Sequence, residues 1–327
     1  MIAPDSIWYS PRHPLALVLA PLSMLYCAIA RLRIWGYTQG LWAQHSPAVP
    51  VIVIGNLTVG GTGKTPLTLW LAEWLQHQGW QPGIVTRGYG GQLGHQVALV
   101  PTTGDPAVFG DESILLAQRA GCPVMAGRDR VAAARALAAQ GCNLVLCDDG
   151  LQHYRLARAL EILVIDGQRQ FGNGRCLPAG PLREPRTRAK TIDLIVINGA
   201  DAENAHPALY LAPGKLTNLH DATRTCTLEQ PFAEPVTAVA GIGHPERFFS
   251  LLETHGWQIH RTPYPDHHRF TAQDIARWPA QQPVLMTEKD AVKCRKFATT
   301  QHWYLPVSAV PNPQFCTALA ELVQQRL

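Results

Sequence analysis

The amino-acid sequence predicts an α/β fold in which a mostly parallel sheet is flanked by helices and followed by a second, smaller α/β domain. Short apolar runs bounded by proline, glycine or acids, such as "VPVIVIG" at 49–55 and "NLVLCDD" at 143–149, are typical of buried parallel strands. Runs with helical spacing alternate with them, as in "PLTLWLAEWLQHQG" at 66–79. This alternation resumes after a polar, irregular stretch that begins near residue 198, which favours two α/β units.

Composition and charge restrict the class of protein before any motif is considered. The chain has 327 residues, of which 46% are hydrophobic and 16% charged, so a disordered protein is excluded and a sizeable core is expected. The net charge of +4 is too small to indicate a nucleic-acid partner. The eight cysteines include no C-x-x-C pair, which favours reduced, buried thiols over a zinc site or a disulfide framework. No feature indicates an obligate protein partner.

The N-terminal part is both apolar and basic. Residues 14–30, "PLALVLAPLSMLYCAIA", carry no charge, and the basic "RLR" follows directly. No acidic residue occurs between Asp5 and Glu73. An apolar, basic helix suits the surface of an anionic membrane, so residues 1–37 are predicted to form a membrane-associated helix. The alternatives are a helix packed on the protein's own core, and a membrane-spanning or signal segment.

Changes of pattern divide the rest of the chain in two. Residues 38–205 contain most of the strand and helix patterns and are predicted to form the main, nucleotide-binding domain. Residues 206–327 begin with a polar linker or small ribbon and continue with strands and helices from "PVTAVAGIG" at 235–243 to "PVLMTEKDAVKC" at 283–294. This part is predicted to be a smaller α/β domain that completes the site.

A glycine-rich loop lies between the first predicted strand and a predicted helix. Its sequence, "GNLTVGGTGKTP" at 55–66, matches the phosphate loop of P-loop NTPases, except that Thr58 stands at the first glycine. In such loops backbone amides bind phosphate, the lysine reaches the β and γ oxygens, and the hydroxyl ligates Mg²⁺. The alternative is a glycine-rich turn with a chance lysine. The predicted binding residues are Thr58, Val59, Gly60, Gly61, Thr62, Gly63, Lys64 and Thr65.

Two acids stand at the end of the apolar run 143–149. In phosphoryl-transfer enzymes an acid at such a strand end helps to hold the metal ion. Asp148 and Asp149 are therefore candidate Mg²⁺ ligands, together with Thr65. Turn acids at strand ends are common by themselves, and it is the upstream phosphate loop that favours the metal-binding interpretation.

Three further groups of polar residues are candidates for the site. In "FGDES", Asp111 and Glu112 lie at a loop-to-helix junction, where an Asp is also a common helix N-cap. In "PLREP", Arg183 and Glu184 stand between prolines, and the arginine is suited to clamping a phosphate. "PDHHRF" at 265–270 places adjacent histidines in a predicted loop of the smaller domain, where two neighbouring imidazoles seldom converge on one metal ion.

Taken together, the ordered motifs resemble those of the tetraacyldisaccharide 4'-kinase family, the lipid A kinases of Gram-negative bacteria. The resemblance spans nearly the whole chain and rests on "GNLTVGGTGKTP", "TRGYGG", "GDE", "DDGLQH", "LPAGPLREP", "PDHH" and "TEKDAVK". It implies transfer of the γ-phosphoryl group of ATP to the 4'-hydroxyl of a tetraacylated disaccharide 1-phosphate, which gives lipid IVA in lipid A (lipopolysaccharide) biosynthesis. It further implies Mg²⁺ as a cofactor and the cytoplasmic face of the inner membrane as the location.

The same resemblance implies roles for individual residues. Asp111 resembles the general base and is paired with His267 of the smaller domain, although the motif alone does not separate His267 from His268. Lys64 contacts the phosphates of ATP. The remaining matches are Glu112, Arg183 and Glu184 at further active-site positions, Asp148 and Asp149 as metal-binding acids, and Arg128 or Arg130 as a further phosphate contact.

Two other functions are compatible with parts of the sequence. A soluble small-molecule kinase would share the phosphate loop, with the N-terminal helix only packed against the protein. A P-loop GTPase acting as a metal or protein chaperone would need a guanine-specificity motif, and "TEKD" at 287–290 places its lysine one position late for N-K-x-D. The expected donor is therefore ATP rather than GTP.

Overall fold

The computed structural model describes residues 4–10, 12–199 and 206–327. Its helices are α1 (Pro4–Trp8), α2 (Pro14–Val18), α3 (Ala20–Thr38), α4 (Lys64–His77), α5 (Pro106–Phe109), α6 (Asp111–Arg119), α7 (Arg130–Ala139), α8 (Pro245–Thr254), α9 (Ala272–Ala276), α10 (Glu288–Cys294) and α11 (Pro313–Arg326). Its strands are β1 (Val51–Gly55), β2 (Pro82–Thr86), β3 (Ala98–Leu99), β4 (Val124–Ala126), β5 (Leu144–Asp148), β6 (Leu160–Asp166), β7 (Leu194–Asn198), β8 (Ala208–Pro213), β9 (Leu216–Asn218), β10 (Thr225–Cys226), β11 (Val236–Ala240), β12 (Ile259–Pro263), β13 (Val284–Thr287), β14 (His302–Leu305) and β15 (Val307–Pro311). Short 3₁₀ helices cover Arg186–Thr191 and Arg295–Phe297.

The larger sheet confirms the prediction of a mostly parallel arrangement. Within the described residues its nine strands follow the order β15-β8-β7-β6-β1-β5-β2-β4-β3. All neighbours from β8 to β4 run parallel, and only the two edge strands, β15 and β3, pair antiparallel. Strand β1 therefore lies inside the sheet between β5 and β6. The chain connections on its two sides leave in opposite directions, and this opens a crevice at the carboxyl end of β1.

Both faces of the larger sheet are covered, which explains why its strands are apolar throughout. Along β1, Ile52 and Ile54 face one core with the buried leucines of α4 and with Phe315 of α11. The alternate residues, Val51 and Val53, face a second core with α7. Because side chains alternate across a strand, a sheet packed on both faces needs apolar residues at consecutive positions.

The smaller sheet confirms the second α/β unit. Within the described residues it has six strands in the order β10-β9-β14-β13-β11-β12. The segment from β14 to β12 is parallel, whereas β9 and β10 form the antiparallel ribbon expected from the irregular stretch. Helix α8 packs on this sheet through Phe248, Phe249 and Leu252. Below, the smaller lobe means this sheet with α8, α9 and α10.

The two sheets do not divide the chain at one point. Strands β8 and β15, both from residues 206–327, pair with each other and extend the larger sheet, and α11 covers its face. The predicted boundary at residue 205 lies within 200–205, outside the described residues. A division of the chain into 38–205 and 206–327 therefore stays a prediction.

The N-terminal apolar run forms two helices, α2 and α3, which meet at Leu19. Pro21 lies in the first turn of α3, where its missing N–H costs little. Helix α3 is anchored by the Ser23 hydroxyl, which donates to the Cys176 carbonyl at 2.6 Å, and by Tyr26, which donates to the Arg183 carbonyl at 3.1 Å. Within residues 4–10, 12–199 and 206–327, no helix has both the length and the apolarity that crossing a membrane requires.

Candidate active site

The predicted phosphate loop lies at the carboxyl end of β1 and leads directly into α4. Gly60 and Gly63 have φ angles of 103° and 92°, which only glycine adopts without strain. Thr58 has no such angle and instead pairs antiparallel with Leu182. The threonine at the first glycine position of the motif is therefore compatible with the loop, because this position does not use the left-handed conformation.

Three side chains hold the carbonyl groups of the loop. Asn56 Nδ2 donates to the Gly60 carbonyl at 3.2 Å, and Asn198 Nδ2 donates to the Thr62 carbonyl at 3.0 Å. The carbonyl of the intervening Gly61 accepts a hydrogen bond from Arg169. In the part of the chain that is described, the amides of residues 60–63 donate to no protein acceptor. The loop therefore keeps its N–H groups available for an anionic ligand, which is the property that defines a phosphate loop.

The predicted metal-binding acids lie next to this loop. Asp148, at the end of β5, accepts hydrogen bonds from the hydroxyls of Thr68 at 3.0 Å and Thr65 at 3.4 Å. Asp149 lies 3.7 Å from Lys64 Nζ and 3.0 Å from a guanidinium nitrogen of Arg183. The sequence-predicted residues Lys64, Thr65, Asp148, Asp149 and Arg183 are thus brought together at one end of the sheet.

The two neighbouring acids have opposite electrostatic environments. Burial raises the pKa of Asp148 to about 6. Burial also opposes ionisation of Asp149, but the charges of Lys64 and Arg183 outweigh it and lower the pKa of that carboxyl to about 2. A divalent cation beside these acids would favour the ionised form of both.

The chemistry of this group fits Mg²⁺. The hydroxyl of Thr65 and the carboxylates of Asp148 and Asp149 are oxygen donors, which Mg²⁺ prefers. Among the described residues, no group of at least three His, Cys, Asp or Glu side chains forms a complete metal site. Mg²⁺ usually takes one or two carboxylates from the protein and completes its shell with water and substrate phosphates.

Asp111 and His267 meet across the boundary between the larger sheet and the smaller lobe. Asp111 is the first residue of α6, and its carboxylate is buried, with 5% of its side chain exposed. Nδ1 of His267 lies 3.1 Å from both carboxylate oxygens. Nζ of Lys293 lies 3.8 Å from the same carboxylate. Asp111 therefore does not act as the N-cap, a position that Gly110 holds.

The pKa values of this pair move apart. Burial would raise the pKa of Asp111, but the hydrogen bond with His267 and the charges of Lys289 and Lys293 lower it. Burial would lower the pKa of His267, but its hydrogen bond and charge interaction with Asp111 raise it. Asp111 is thus an ionised, buried acceptor at neutral pH.

His268, the alternative to His267 in the sequence, has a different partner. Its Nε2 lies 3.1 Å from Asp274, the residue that forms the capping box of α9. The imidazole packs at 4.6 Å from the ring of Tyr264. The structure therefore places His267 beside Asp111, and His268 beside the capping residue of α9.

Sequence reasoning missed Lys289, which lies in the "TEKD" stretch that was compared with a guanine motif. Its Nζ lies 3.0 Å from Glu112 Oε1 and 3.3 Å from His267 Nε2. In the neutral tautomer of His267 that carries its proton on Nδ1, this nitrogen donates to Asp111 and Nε2 can accept from the ammonium group, whereas the protonated ring has no acceptor at Nε2. Lys289 thus joins Glu112 to the Asp111–His267 pair, a contact between distant residues that no local pattern reveals.

The adjacent residues Arg183 and Glu184 lie in different surroundings. Arg183 pairs with Asp149, as described, whereas Glu184 is buried and accepts a hydrogen bond from Tyr154 at 2.8 Å. Arg188 lies 3.9 Å from the same carboxylate. The structure therefore places Arg183 next to the phosphate loop, whereas the side chain of Glu184 lies in a buried polar cluster with Tyr154 and Arg188.

The structure also separates Arg128 from Arg130. Arg130 is buried and donates to the carbonyls of Gly127 at 3.4 Å and Asp148 at 3.3 Å. Arg128 is exposed, and no ion pair or hydrogen bond of its side chain is found among the described residues. Arg128 is thus the member of the pair whose guanidinium group is available to a ligand.

An open cleft of about 600 Å³ borders the Asp111–His267 pair. One wall is the loop before α6. The other wall carries the basic side chains Arg269, Lys293, Arg295 and Lys296. A cleft of this size and charge is suited to an anionic, sugar-sized ligand.

Comparison with known proteins agrees with these features. Residues 15–324 match the model of the family described as LpxK, tetraacyldisaccharide-1-P 4'-kinase. A tetraacyldisaccharide 4'-kinase of Nitrosococcus oceani is 48% identical over 319 residues, covering 97% of this chain and 93% of the relative. One from Alkalilimnicola ehrlichii is 50% identical over 295 residues, covering 90% and 88%.

A solved structure shares the fold over almost its full length. It is the crystal structure of LpxK from Aquifex aeolicus in complex with ATP, with 26% identity and a TM-score of 0.77. The superposition covers 95% of this chain and 99% of that one. Together with the sequence matches, this shows that the chain belongs to the tetraacyldisaccharide 4'-kinase family.

Proposed function

We propose that this protein transfers the γ-phosphoryl group of ATP to the 4'-hydroxyl of a tetraacyldisaccharide 1-phosphate, in the biosynthesis of lipid A. The observation that carries this proposal is the state of the phosphate loop. The amides of residues 60–63 donate to no protein acceptor among the described residues, whereas the loop carbonyls accept hydrogen bonds from side chains such as Asn56 and Asn198. The relatives named above have the same activity in their names, and the similar solved structure is a complex with ATP.

The phosphate loop and its neighbours would bind the nucleotide. The amides of residues 60–63 and the ammonium group of Lys64 would neutralise the β and γ phosphates. Thr65, Asp148 and Asp149 would hold Mg²⁺, which supplies charge neutralisation at the transferring phosphoryl group. Arg183, which pairs with Asp149, and the exposed Arg128 would add positive charge around the phosphates.

Asp111 would accept the proton of the sugar hydroxyl. Phosphoryl transfer proceeds through a loose transition state, so the hydroxyl proton leaves late and a carboxylate of low pKa suffices as the acceptor. The Nδ1–H of His267 holds the carboxylate in place, and in the neutral ring Nε2 accepts a hydrogen bond from Lys289. Glu112 acts as a positioning residue by fixing Lys289. Glu184 would support the site through the buried cluster with Tyr154.

The location that fits best is the cytoplasmic face of the inner membrane. The acceptor carries four acyl chains, so the enzyme has to meet it at a lipid surface. Helices α2 and α3 expose apolar side chains at Leu17, Val18, Leu22, Met24, Leu25, Ile29, Leu32 and Trp35. Arg31 and Arg33 lie in the same stretch and would favour anionic headgroups. Residues 1–37 would thus be the membrane-binding element, although residues 1–3 and 11 lie outside the described part.

The direct test is transfer of ³²P from labelled ATP to purified disaccharide 1-phosphate in mixed micelles. Wild-type protein should form the 4'-phosphorylated product in a Mg²⁺-dependent reaction, and Lys64→Ala should reduce the rate about 10²-fold or more, because one charged contact to the transferring group is lost. Absence of transfer by wild-type protein would contradict the proposal. Transfer from GTP at the same rate as from ATP would contradict the proposed donor.

A further inference from the structure

The outer side of the phosphate loop is held by a chain of charged residues that the proposed catalytic roles do not use. Arg169 follows β6 and donates a hydrogen bond to the Gly61 carbonyl. The same guanidinium group lies 3.2 Å and 3.3 Å from a carboxylate oxygen of Asp166, the last residue of β6. The loop is therefore connected to a buried acid on the neighbouring strand.

Asp166 is in turn held by the smaller lobe. Arg247 of α8 places Nη2 at 2.8 Å and 2.9 Å from the two carboxylate oxygens of Asp166. The amides of Gln168 and Arg169 donate to the same carboxylate at 3.1 Å and 3.0 Å. Asp166 is 1% exposed, and a buried carboxylate needs ionic partners. The carboxylate of Asp166 is fully paired only when the guanidinium groups of Arg169 and Arg247 are both in place. Burial opposes its ionisation, but these partners lower the pKa of Asp166.

The contact with Gly61 matters because of the geometry of the peptide bond. In a trans peptide the carbonyl of one residue and the N–H of the next point in opposite directions. A donor that holds the Gly61 carbonyl outward therefore directs the Thr62 amide inward, toward the position of the phosphates. The loop between β11 and α8 also faces this region, since a Cβ placed on Gly243 would lie 3.8 Å from the Gly61 amide nitrogen.

We propose that Arg247, Asp166 and Arg169 act as positioning residues that couple docking of the smaller lobe to nucleotide binding by the phosphate loop. This inference rests on the proposed ATP site. When the lobe docks, Arg247 completes the pairing of Asp166, Asp166 orients Arg169, and Arg169 fixes the peptide between Gly61 and Thr62. When the lobe moves away, the loop loses one of its three carbonyl contacts and binds the phosphates less tightly.

The test measures nucleotide affinity directly, by fluorescence anisotropy of an N-methylanthraniloyl ATP analogue with Mg²⁺. Arg247→Ala should raise the Kd about tenfold, the size expected for one hydrogen bond to a charged group. Arg169→Ala should do the same. The double variant should be no weaker than either single variant, because both changes break one chain. Arg247→Lys should recover part of the affinity, since it keeps the charge.

The matched control is Arg261→Ala, which removes an arginine that pairs with Glu246 and Glu253 inside the smaller lobe. It should bind the analogue like wild-type protein. The side chain of Arg247 is 35% exposed, so its replacement should leave the fold intact, as a thermal melt will show. Normal affinity in Arg247→Ala, or independent effects that multiply in the double variant, would overturn the coupling. Absence of analogue binding by wild-type protein would instead overturn the proposed ATP site.

Discussion

Nδ1 of His267 lies 3.1 Å from both carboxylate oxygens of Asp111, although the two residues are 156 positions apart in the chain. Asp111 belongs to the first turn of α6, which packs on the larger sheet, and His267 belongs to a loop of the smaller lobe. The proposed base is therefore complete only when the two parts of the molecule are docked, which links chemistry to closure of the site.

The first prediction concerns this base. Asp111→Asn should lower kcat about 10²–10⁴-fold, because the amide accepts no proton from the sugar hydroxyl. The KM for ATP should change little, since Asp111 does not contact the phosphate loop. Steady-state kinetics in mixed micelles would measure both. The control is Asp221→Asn, in an exposed turn where the carboxylate accepts a hydrogen bond from the Thr223 amide. This variant should be fully active. An Asp111→Asn enzyme with near-normal kcat would remove Asp111 as the base.

The second prediction separates the two histidines. His267→Ala should lower kcat, and by less than Asp111→Asn, because His267 positions the base rather than accepting the proton. His268→Ala should have its main effect on the melting temperature and only a small effect on kcat, since this residue supports the capping residue Asp274. Parallel measurements of turnover and thermal unfolding would check the contrast. The reverse result would exchange the roles of the two residues.

The third prediction is a pH dependence. Asp111 raises the pKa of His267 in the folded protein, so the protonated imidazole stabilises the fold. This contribution is fully present below the unfolded-state value of about 6.5 and is lost as the pH rises through the folded-state pKa. An NMR titration of the His267 ring should therefore give a lower pKa in Asp111→Asn. The stability gap between wild type and Asp111→Asn should narrow with rising pH, and a constant gap would contradict the pairing.

The fourth prediction uses two glycines with similar backbone angles. Gly63 and Gly79 have φ angles of 92° and 86°. A Cβ on Gly63 would lie 2.5 Å from Asn198 Nδ2, whereas a Cβ on Gly79 would meet nothing within 4 Å. Gly79→Ala should cost about 1–2 kcal/mol of unfolding free energy from backbone strain alone and leave ATP affinity unchanged. Gly63→Ala should cost more and weaken ATP binding. Equal effects on affinity would show that the Asn198 contact does not shape the loop.

The fifth prediction concerns the apolar face of α3. Replacing Leu22, Leu25 and Ile29 together by Glu should weaken partitioning onto anionic vesicles about tenfold or more, because it removes apolar area that would be buried in lipid and adds negative charge. Flotation assays would measure this. The double variant Leu99→Glu/Tyr210→Glu changes exposed apolar residues elsewhere and should float like wild-type protein. Unchanged flotation of the triple variant would contradict membrane binding through α3.

The sequence by itself determined the elements that depend on neighbouring residues. The apolar run of β1, the glycines at 60 and 63 and Lys64 at the start of α4 are contiguous, so strand, loop and helix were predictable together. The paired acids at the end of β5 followed from the same reasoning. The pairing of Asp111 with His267 came from resemblance to a family, because no spacing rule joins residues so far apart.

Tertiary structure alone decided the contacts between distant segments. It placed β8 and β15 in the larger sheet, brought Lys289 to His267, and turned Glu184 away from its neighbour Arg183. It also fixed the phosphate loop from outside through Asn198 and Arg169. The physical reason is that these arrangements depend on which strand ends meet and which helix faces pack, and such long-range pairings leave no periodic trace in the local sequence.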